Sequence, residues 1–226
     1  LAAKQPKAFL LENVKQLKGH DKGKTLKTIL EILRGENNQN IPDDYPVSEE
    51  VRNSMNKKLN YAVDFKVLKA NNFGVPQKRE RIYIVGFNRD YFDESVDLDR
   101  KLFEMFSYLE NKKSSTRLGD ILENNLIIDP KYTISDRLLA GHIRRRKEHK
   151  IKGNGFGFSL FNSNSPFCNT LSSRYYKDGS EVLIDQSDIE KNPRKLTPRE
   201  CARIQGFPDK FLVNAVSDVQ IYKQFG

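Results

Sequence analysis

Apolar residues open the chain in a block: Ala8 to Leu11 form a short continuous run that stops at Glu12 and Asn13. An uninterrupted run of this kind predicts a buried parallel strand, since a half-exposed strand would alternate. Leu26, Ile29, Leu30 and Leu33 then recur at helical spacing, so about 24–34 should be a helix laying one apolar stripe on a neighbour. A strand followed by a helix is the α/β signature. Residues 35–58 are polar with two prolines and read as a surface insertion, with a helical turn after Ser48. Beyond them the period changes to two. Tyr61, Val63, Phe65 and Val67 alternate with less apolar neighbours, and RIYIVGF from Arg81 supplies a further strand. With NNFGVPQKRE between them, the two should pair antiparallel and close an α/β sheet.

From about Tyr91 the pattern loosens into patchy helical periodicity, followed by short segments rich in Gly, Asn and Ser, and a smaller second domain is expected to begin there. Asp178-Gly179, flanked by β-favouring residues, predicts a hairpin. In LTPRECARIQGF, Thr197 is placed as an N-cap, Pro198 at the first turn, Glu200 as the capping-box acid and Gly206 as the helix stop.

Charge changes the picture next. The 226 residues hold 39 Lys and Arg against 30 Asp and Glu, a net +9 that favours an anionic partner, nucleic acid first. Residues 131–152 carry eight of the basic side chains against Asp136 and Glu148 and lead into GNGFGFSLFNSNSPFCNTLSSRYYKDG, where small residues alternate with aromatics and Asn. Small residues permit close approach to a phosphate backbone, and Arg, Lys and Asn read base edges. The spacing of Gly153, Gly155 and Gly157 does not match a dinucleotide loop. No apolar run approaches the roughly 18 residues of a membrane span and no signal peptide precedes the first strand, which leads to the expectation of a soluble cytoplasmic protein without membrane contact. Cys168 and Cys201 make neither a CxxC pair nor a disulfide framework, which argues against a structural zinc site. Cys201, four residues after its cap, should staple to Leu196 and be inert, as should Cys168.

Two stretches carry candidate chemistry. Glu12 and Asn13 stand at the carboxyl end of a strand, where open α/β sheets place their sites, and an acid partly shielded there can serve as a proton donor. Gln77, Arg79 and Arg81 alternate, so an extended chain would project an amide and two guanidiniums to one face, with Arg suited to phosphate or a planar base edge.

Taken together the chain resembles the C-terminal half of a DNA (cytosine-5) methyltransferase of bacterial restriction-modification type. LLENV is similar to that family's motif VI, QKRER to its motif VIII, RKLTPRECARIQGFPD to its motif IX and QIYKQFG to the opening of its motif X, in the family's order. The resemblance implies a fold of the α/β class: the C-terminal part of a Rossmann-like methyltransferase domain over 1–90, an irregular, mostly β target-recognition domain over 91–195, and a return to the catalytic domain over 196–226. It implies transfer of a methyl group from S-adenosylmethionine to carbon 5 of a cytosine flipped out of double-stranded DNA, because the reactive carbons are inaccessible inside the stack. Glu12 would contact ring nitrogen 3, Asn13 would orient the nucleophile loop, Arg81 would hold the base carbonyl, Arg79 would hold the site or a nearby phosphate, and Gln77 would support them. Arg144, Arg145, Arg146 and Lys152, with Thr170, Leu171, Ser173, Arg174, Tyr175 and Lys177, are the expected DNA contacts.

The family's Pro-Cys nucleophile and glycine-rich cofactor motif do not occur in these 226 residues. The expectation is therefore that this polypeptide is inactive alone, and that an N-terminal half or complementary subunit supplies the nucleophile and most of the cofactor pocket, alongside a possible cognate restriction endonuclease. A DNA-binding module without chemistry and an RNA cytosine-5 methyltransferase are the competing readings.

Overall fold

The alternation of strands and helices in the first half of the chain is realised as a three-stranded sheet with a helix on each face. A computed structural model describes residues 1–36, 46–155 and 157–226. It divides the chain into two compact units, Leu1–Lys69 with Glu80–Lys112, and Ala70–Arg79 with Lys113–Gly226. The helix of residues 98–110 thus groups with the first unit, and residues 70–79 and 196–226 with the second, a division different from the boundaries drawn on the sequence.

In the first unit, strands β1 (Ala8–Val14), β2 (Tyr61–Lys69) and β3 (Glu80–Asn88) form a sheet in the order β1-β3-β2, antiparallel throughout. Helix α1 (Lys24–Arg34) buries Leu26, Leu30 and Leu33 against Phe9, Tyr61, Val63, Ile82 and Ile84 on one sheet face. Full burial of each leucine contributes about 1.5–3 kcal/mol. Helix α3 (Leu98–Glu110), capped by Asp97, sets Leu98 and Leu102 against Ala62, Val85 and Phe87 on the other face. The period-two strands pair as predicted, and both helices follow their apolar stripes. The opening run is a correction. β1 is antiparallel, it pairs with β3 along one side, and Leu10 and Leu11 are exposed while Phe9 is buried. A continuous apolar run reports that both faces can be covered, not which way the neighbouring strand runs. Ser48 caps helix α2 (Glu49–Met55) by accepting from Val51 N–H, while residues 37–45 of the expected insertion lie outside the described residues.

The second unit is built differently. Helix α4 (Asp136–Ile151) starts at the Ser135 cap, strands β4 (Leu160–Phe161) and β5 (Leu183–Ile184) pair in parallel over two residues each, and helix α5 (Tyr175–Asp178) is one turn. Helix α6 (Pro198–Ile204) and helix α7 (Asp218–Phe225) complete it. The mostly β expectation for this region is corrected: it is irregular, and its longest element is a helix. The Asp178-Gly179 hairpin is corrected too. Gly179, at φ +66°, ends α5 instead of turning a hairpin, because the αL geometry that suits a hairpin turn equally suits a helix terminus. The α6 reading holds in detail. Thr197 and Glu200 form the reciprocal capping box, and Gly206 and Phe207 bond back to Arg203 and Ala202 in the Schellman pattern. Tyr175, Leu196, Cys201, Ile204 and Tyr222 belong to the core cluster that α5, α6 and α7 share. Among the described residues no helix is long and apolar enough to cross a membrane.

Candidate functional site

On the first unit's sheet, Glu12 stands opposite Tyr83 and Arg81 opposite Val14, so the two are diagonal neighbours on the α3 face. Arg81 Nε lies 2.9 Å from Glu12 Oε1, and Arg81 Nη1 donates to the Glu80 carbonyl at 2.9 Å. The guanidinium is thereby aimed by its own strand and by the carboxylate across the ladder. Lys15 pairs with the Glu80 carboxylate, and Lys69 lies 3.9 Å from it, so the strand ends carry alternating charge. The shielding expected around Glu12 is not found in the described residues: its side chain is 47% exposed, against 19% for Arg81. Asn13 projects to the opposite face, as the pleat requires, and its Oδ1 accepts from Val14 N–H. Such a pair offers an acceptor and a fixed guanidinium donor side by side, which suits a planar heterocycle edge that presents adjacent donor and acceptor atoms.

Gln77 and Arg79 belong to the second unit and do not continue the alternation. The N–H of Gln77 donates to Val75 O and that of Arg79 to Gln77 O, two tight i to i−2 turns that take the segment out of extended geometry. The strict alternation expected from the sequence across Gln77 and Arg79 is therefore not kept. Gln77 is fully buried, donates from Nε2 to Ile204 O at 3.4 Å, and bridges in parallel to Cys168. Lys78 N–H donates to Cys168 O, and Thr170 Oγ1 donates to Lys78 O at 2.7 Å, so residues 76–78 are pinned to 168–170.

The remaining candidates fall into two groups. Arg144, Lys152, Ser173, Arg174 and Lys177 are exposed. Leu171 and Tyr175 are core residues, the Tyr175 hydroxyl donating to Val182 O and accepting from Leu196 N–H. Arg145 and Arg146 are exposed, but their guanidiniums are held: Arg145 by His142 Nδ1 and Asp178, Arg146 by the Phe158 carbonyl and ring.

The model of the C-5 cytosine-specific DNA methylases matches residues 1–54 and 36–226. The chain belongs to the C-5 cytosine-specific DNA methylase family. It is 51% identical over 99% of its length to the type II methyltransferase M1.ScrFI of Lactococcus lactis subsp. cremoris, of which it covers 48%. Against the type II methyltransferase M.SsoII of Shigella sonnei it is 49% identical over 99% of its length, covering 49% of that relative. The chain thus spans about half the length of these relatives. The methyltransferase fold is shown by the crystal structure of S. pombe Dnmt2 methyltransferase, with a TM-score of 0.61, 19% identity, and coverage of 98% of this chain and 61% of that one.

In this methylase-family chain, sequence reading missed the centre of the second unit. Arg194 and Glu200 are both fully buried, and Glu200 accepts from Arg194 Nη1 at 2.7 Å and Nη2 at 2.8 Å. The Arg-x-x-Thr-x-x-Glu spacing was legible only as a capping box, and nothing local says that the acid also takes a buried guanidinium. Burial pushes the Cys168 thiol up to about 12 and Cys201 well above its ordinary value, so neither thiol of this methylase-family chain is poised as a thiolate.

Proposed function

We propose that this chain is the C-terminal half of a DNA (cytosine-5) methyltransferase of a type II restriction-modification system, with the first unit contributing the base-holding groups and the second recognising duplex DNA. The observation that carries the reading is the Glu12–Arg81 pair, 2.9 Å apart on one sheet face, formed by residues of the two stretches that resemble motifs VI and VIII. A pyrimidine presents ring nitrogen 3 beside its carbonyl oxygen, and a carboxyl group beside a guanidinium matches those two atoms. Glu12 would hold a proton at nitrogen 3, offsetting charge that builds on the ring when carbon 6 is attacked, and Arg81 would hold the carbonyl oxygen. Asn13 would position the loop bearing the nucleophile from the α1 side of the sheet.

S-adenosylmethionine supplies the electrophilic methyl group when bound. An apolar recess of about 530 Å³ in the first unit, lined by Phe9, Leu10, Leu68, Met105 and Leu109 among others, offers almost no polar atom to its amino-acid and ribose groups and does not fit it. Both thiols of the chain are buried in the second unit's core. These two observations support a nucleophile and donor site supplied from outside these 226 residues, with the 226-residue polypeptide inactive alone.

The test is methyl transfer from labelled S-adenosylmethionine by the full-length protein and by the 226-residue chain, with duplex DNA and RNA as acceptors and nucleoside mass spectrometry as readout. The expected product is 5-methylcytosine in duplex DNA from the full-length protein only. Turnover by the 226 residues alone, methylation of RNA in preference to DNA, or methylation at an exocyclic nitrogen would each overturn the reading.

A further inference from the structure

Helix α4 carries its cations in two chemically different settings. At about 100° per residue, Arg137, Arg144 and Lys147 share the face opposite His142, and all three are exposed. Arg145 and Arg146 flank the buried side. His142 is 2% exposed; its Nε2 lies 3.2 Å from Asp178 O and its Nδ1 3.0 Å from Arg145 Nη2, which also reaches Asp178 Oδ2 at 3.1 Å. Since the carbonyl can only accept and the guanidinium can only donate, the ring is neutral, with its proton on Nε2. Arg146 lies over the Phe158 ring, 3.8 Å from its centroid, and donates to the Phe158 carbonyl. Gly157 makes room for that arrangement: a Cβ there would come within 3.1 Å of Arg146 Cγ and 3.3 Å of Arg146 Cβ.

We propose that Arg145 and Arg146 are positioning residues that clamp α4 onto segments 157–159 and 178–180, while Arg137, Arg144 and Lys147 on the outer face of the same helix take the phosphate backbone. The inference rests on the reading of the second unit as a duplex-DNA recognition unit and divides its cations by task. The clamped segments border a polar recess of about 430 Å³ lined by His142, Arg145, Ser159, Asn169 and Glu181, so loosening them alters the placement of hydrogen-bonding groups without removing outward charge. A guanidinium that is already stacked and hydrogen-bonded would have to abandon both contacts to meet a phosphate.

The experiment uses the full-length protein, a pool of short duplexes with randomised centres sequenced after binding, and anisotropy on the enriched duplex across a salt series. Arg144→Ala and Lys147→Ala are each expected to lower the slope of log affinity against log salt by roughly 0.9 and to leave the enriched sequence unchanged. Arg146→Ala is expected to leave the slope unchanged and to cut enrichment of the preferred sequence by about tenfold, the discrimination that one misplaced base contact forfeits. Arg146→Lys retains charge without the planar stack and should show the same loss, which guards against a variant that fails to fold. Gly157→Ala should mimic Arg146→Ala in the wild-type background and add less in the Arg146→Ala background, where the nearest obstruction, Arg146 Cγ at 3.1 Å, is gone and only the Cβ contact at 3.3 Å remains. A reduced salt slope with an intact preferred sequence in Arg146→Ala would make Arg146 a phosphate contact and overturn the proposal, as would additive effects of Gly157→Ala and Arg146→Ala. A wild-type protein that enriches no sequence would instead sink the DNA-recognition reading on which the proposal rests.

Discussion

Replacing Glu200 with Ala removes the acceptor for four donors at once. Each carboxylate oxygen serves two: Oε1 takes Arg194 Nη2 at 2.8 Å and Glu123 N–H at 2.8 Å, and Oε2 takes Arg194 Nη1 at 2.7 Å and Thr197 N–H at 2.8 Å. Arg194 has no exposed surface, so its charge cannot turn to water once the carboxylate is gone. Among the described residues it would keep Asn125 Oδ1 and the Lys195 carbonyl as acceptors. Breaking a buried pair from one side costs about 3–5 kcal/mol, because an uncompensated charge remains in the interior. For a chain of this size each kcal/mol moves the midpoint by about 2–4 °C, so a loss near 4 kcal/mol lowers Tm by about 8–16 °C. The assay is thermal unfolding followed by near-ultraviolet circular dichroism. The chain has no tryptophan, and Tyr175 and Tyr222, with ring centroids 5.4 Å apart in the same core, give an aromatic signal from the affected unit. Arg194→Leu combined with Glu200→Leu should lose less than Glu200→Ala alone, since no buried charge is stranded, although two backbone N–H groups lose their acceptor and Asn125 Oδ1 and the Lys195 carbonyl lose the Arg194 donor. A Glu200→Ala midpoint within about 2 °C of wild type would refute the reasoning, for it would mean that the guanidinium finds solvent without cost.

Two further outcomes follow from the same burial arguments. Cys168, held up at about 12, and Cys201, higher still, should resist iodoacetamide in the folded chain at pH 8 and both react once it is unfolded; rapid native alkylation of either would contradict their placement in the core. His142 is lowered chiefly by desolvation, so the unfolded chain takes up a proton before the folded one does as pH falls. Its contribution is complete above the ordinary value of 6.5 and lost as pH drops below it, which predicts that the stability advantage of wild type over His142→Gln shrinks between about pH 7 and 5. An advantage that grows on acidification would show that the ring is charged in the folded state.

Legibility in the sequence followed the range of the interactions. Helix α1, the β2–β3 pair and the α6 cap were readable because stripes, alternation and capping boxes are written within a few residues. The direction of β1 was not, since Ala8 to Leu11 records that a strand can be buried and nothing about its partner. Asp178-Gly179 misled because the left-handed residue that turns a hairpin also ends the α5 turn. At the site, Glu12 and Arg81 were both named from sequence, yet their meeting depends on a β1–β3 register across the 68 residues that separate them, legible in neither stretch alone. Gln77 was expected beside Arg81; tight turns at Gln77 and Arg79 take it instead into the second unit's core. The Arg194–Glu200 pair escaped notice for a related reason: a charge is assigned to the surface by default, and only the packing around it shows otherwise.

The most direct test of the central claim is the rate of methyl transfer to duplex DNA by the full-length protein carrying Glu12→Gln, measured with DNA affinity alongside. The account predicts a rate lower by about 100- to 10,000-fold, the range of a lost general acid, with affinity for duplex DNA retained. A Glu12→Gln enzyme that methylates at the wild-type rate would contradict it.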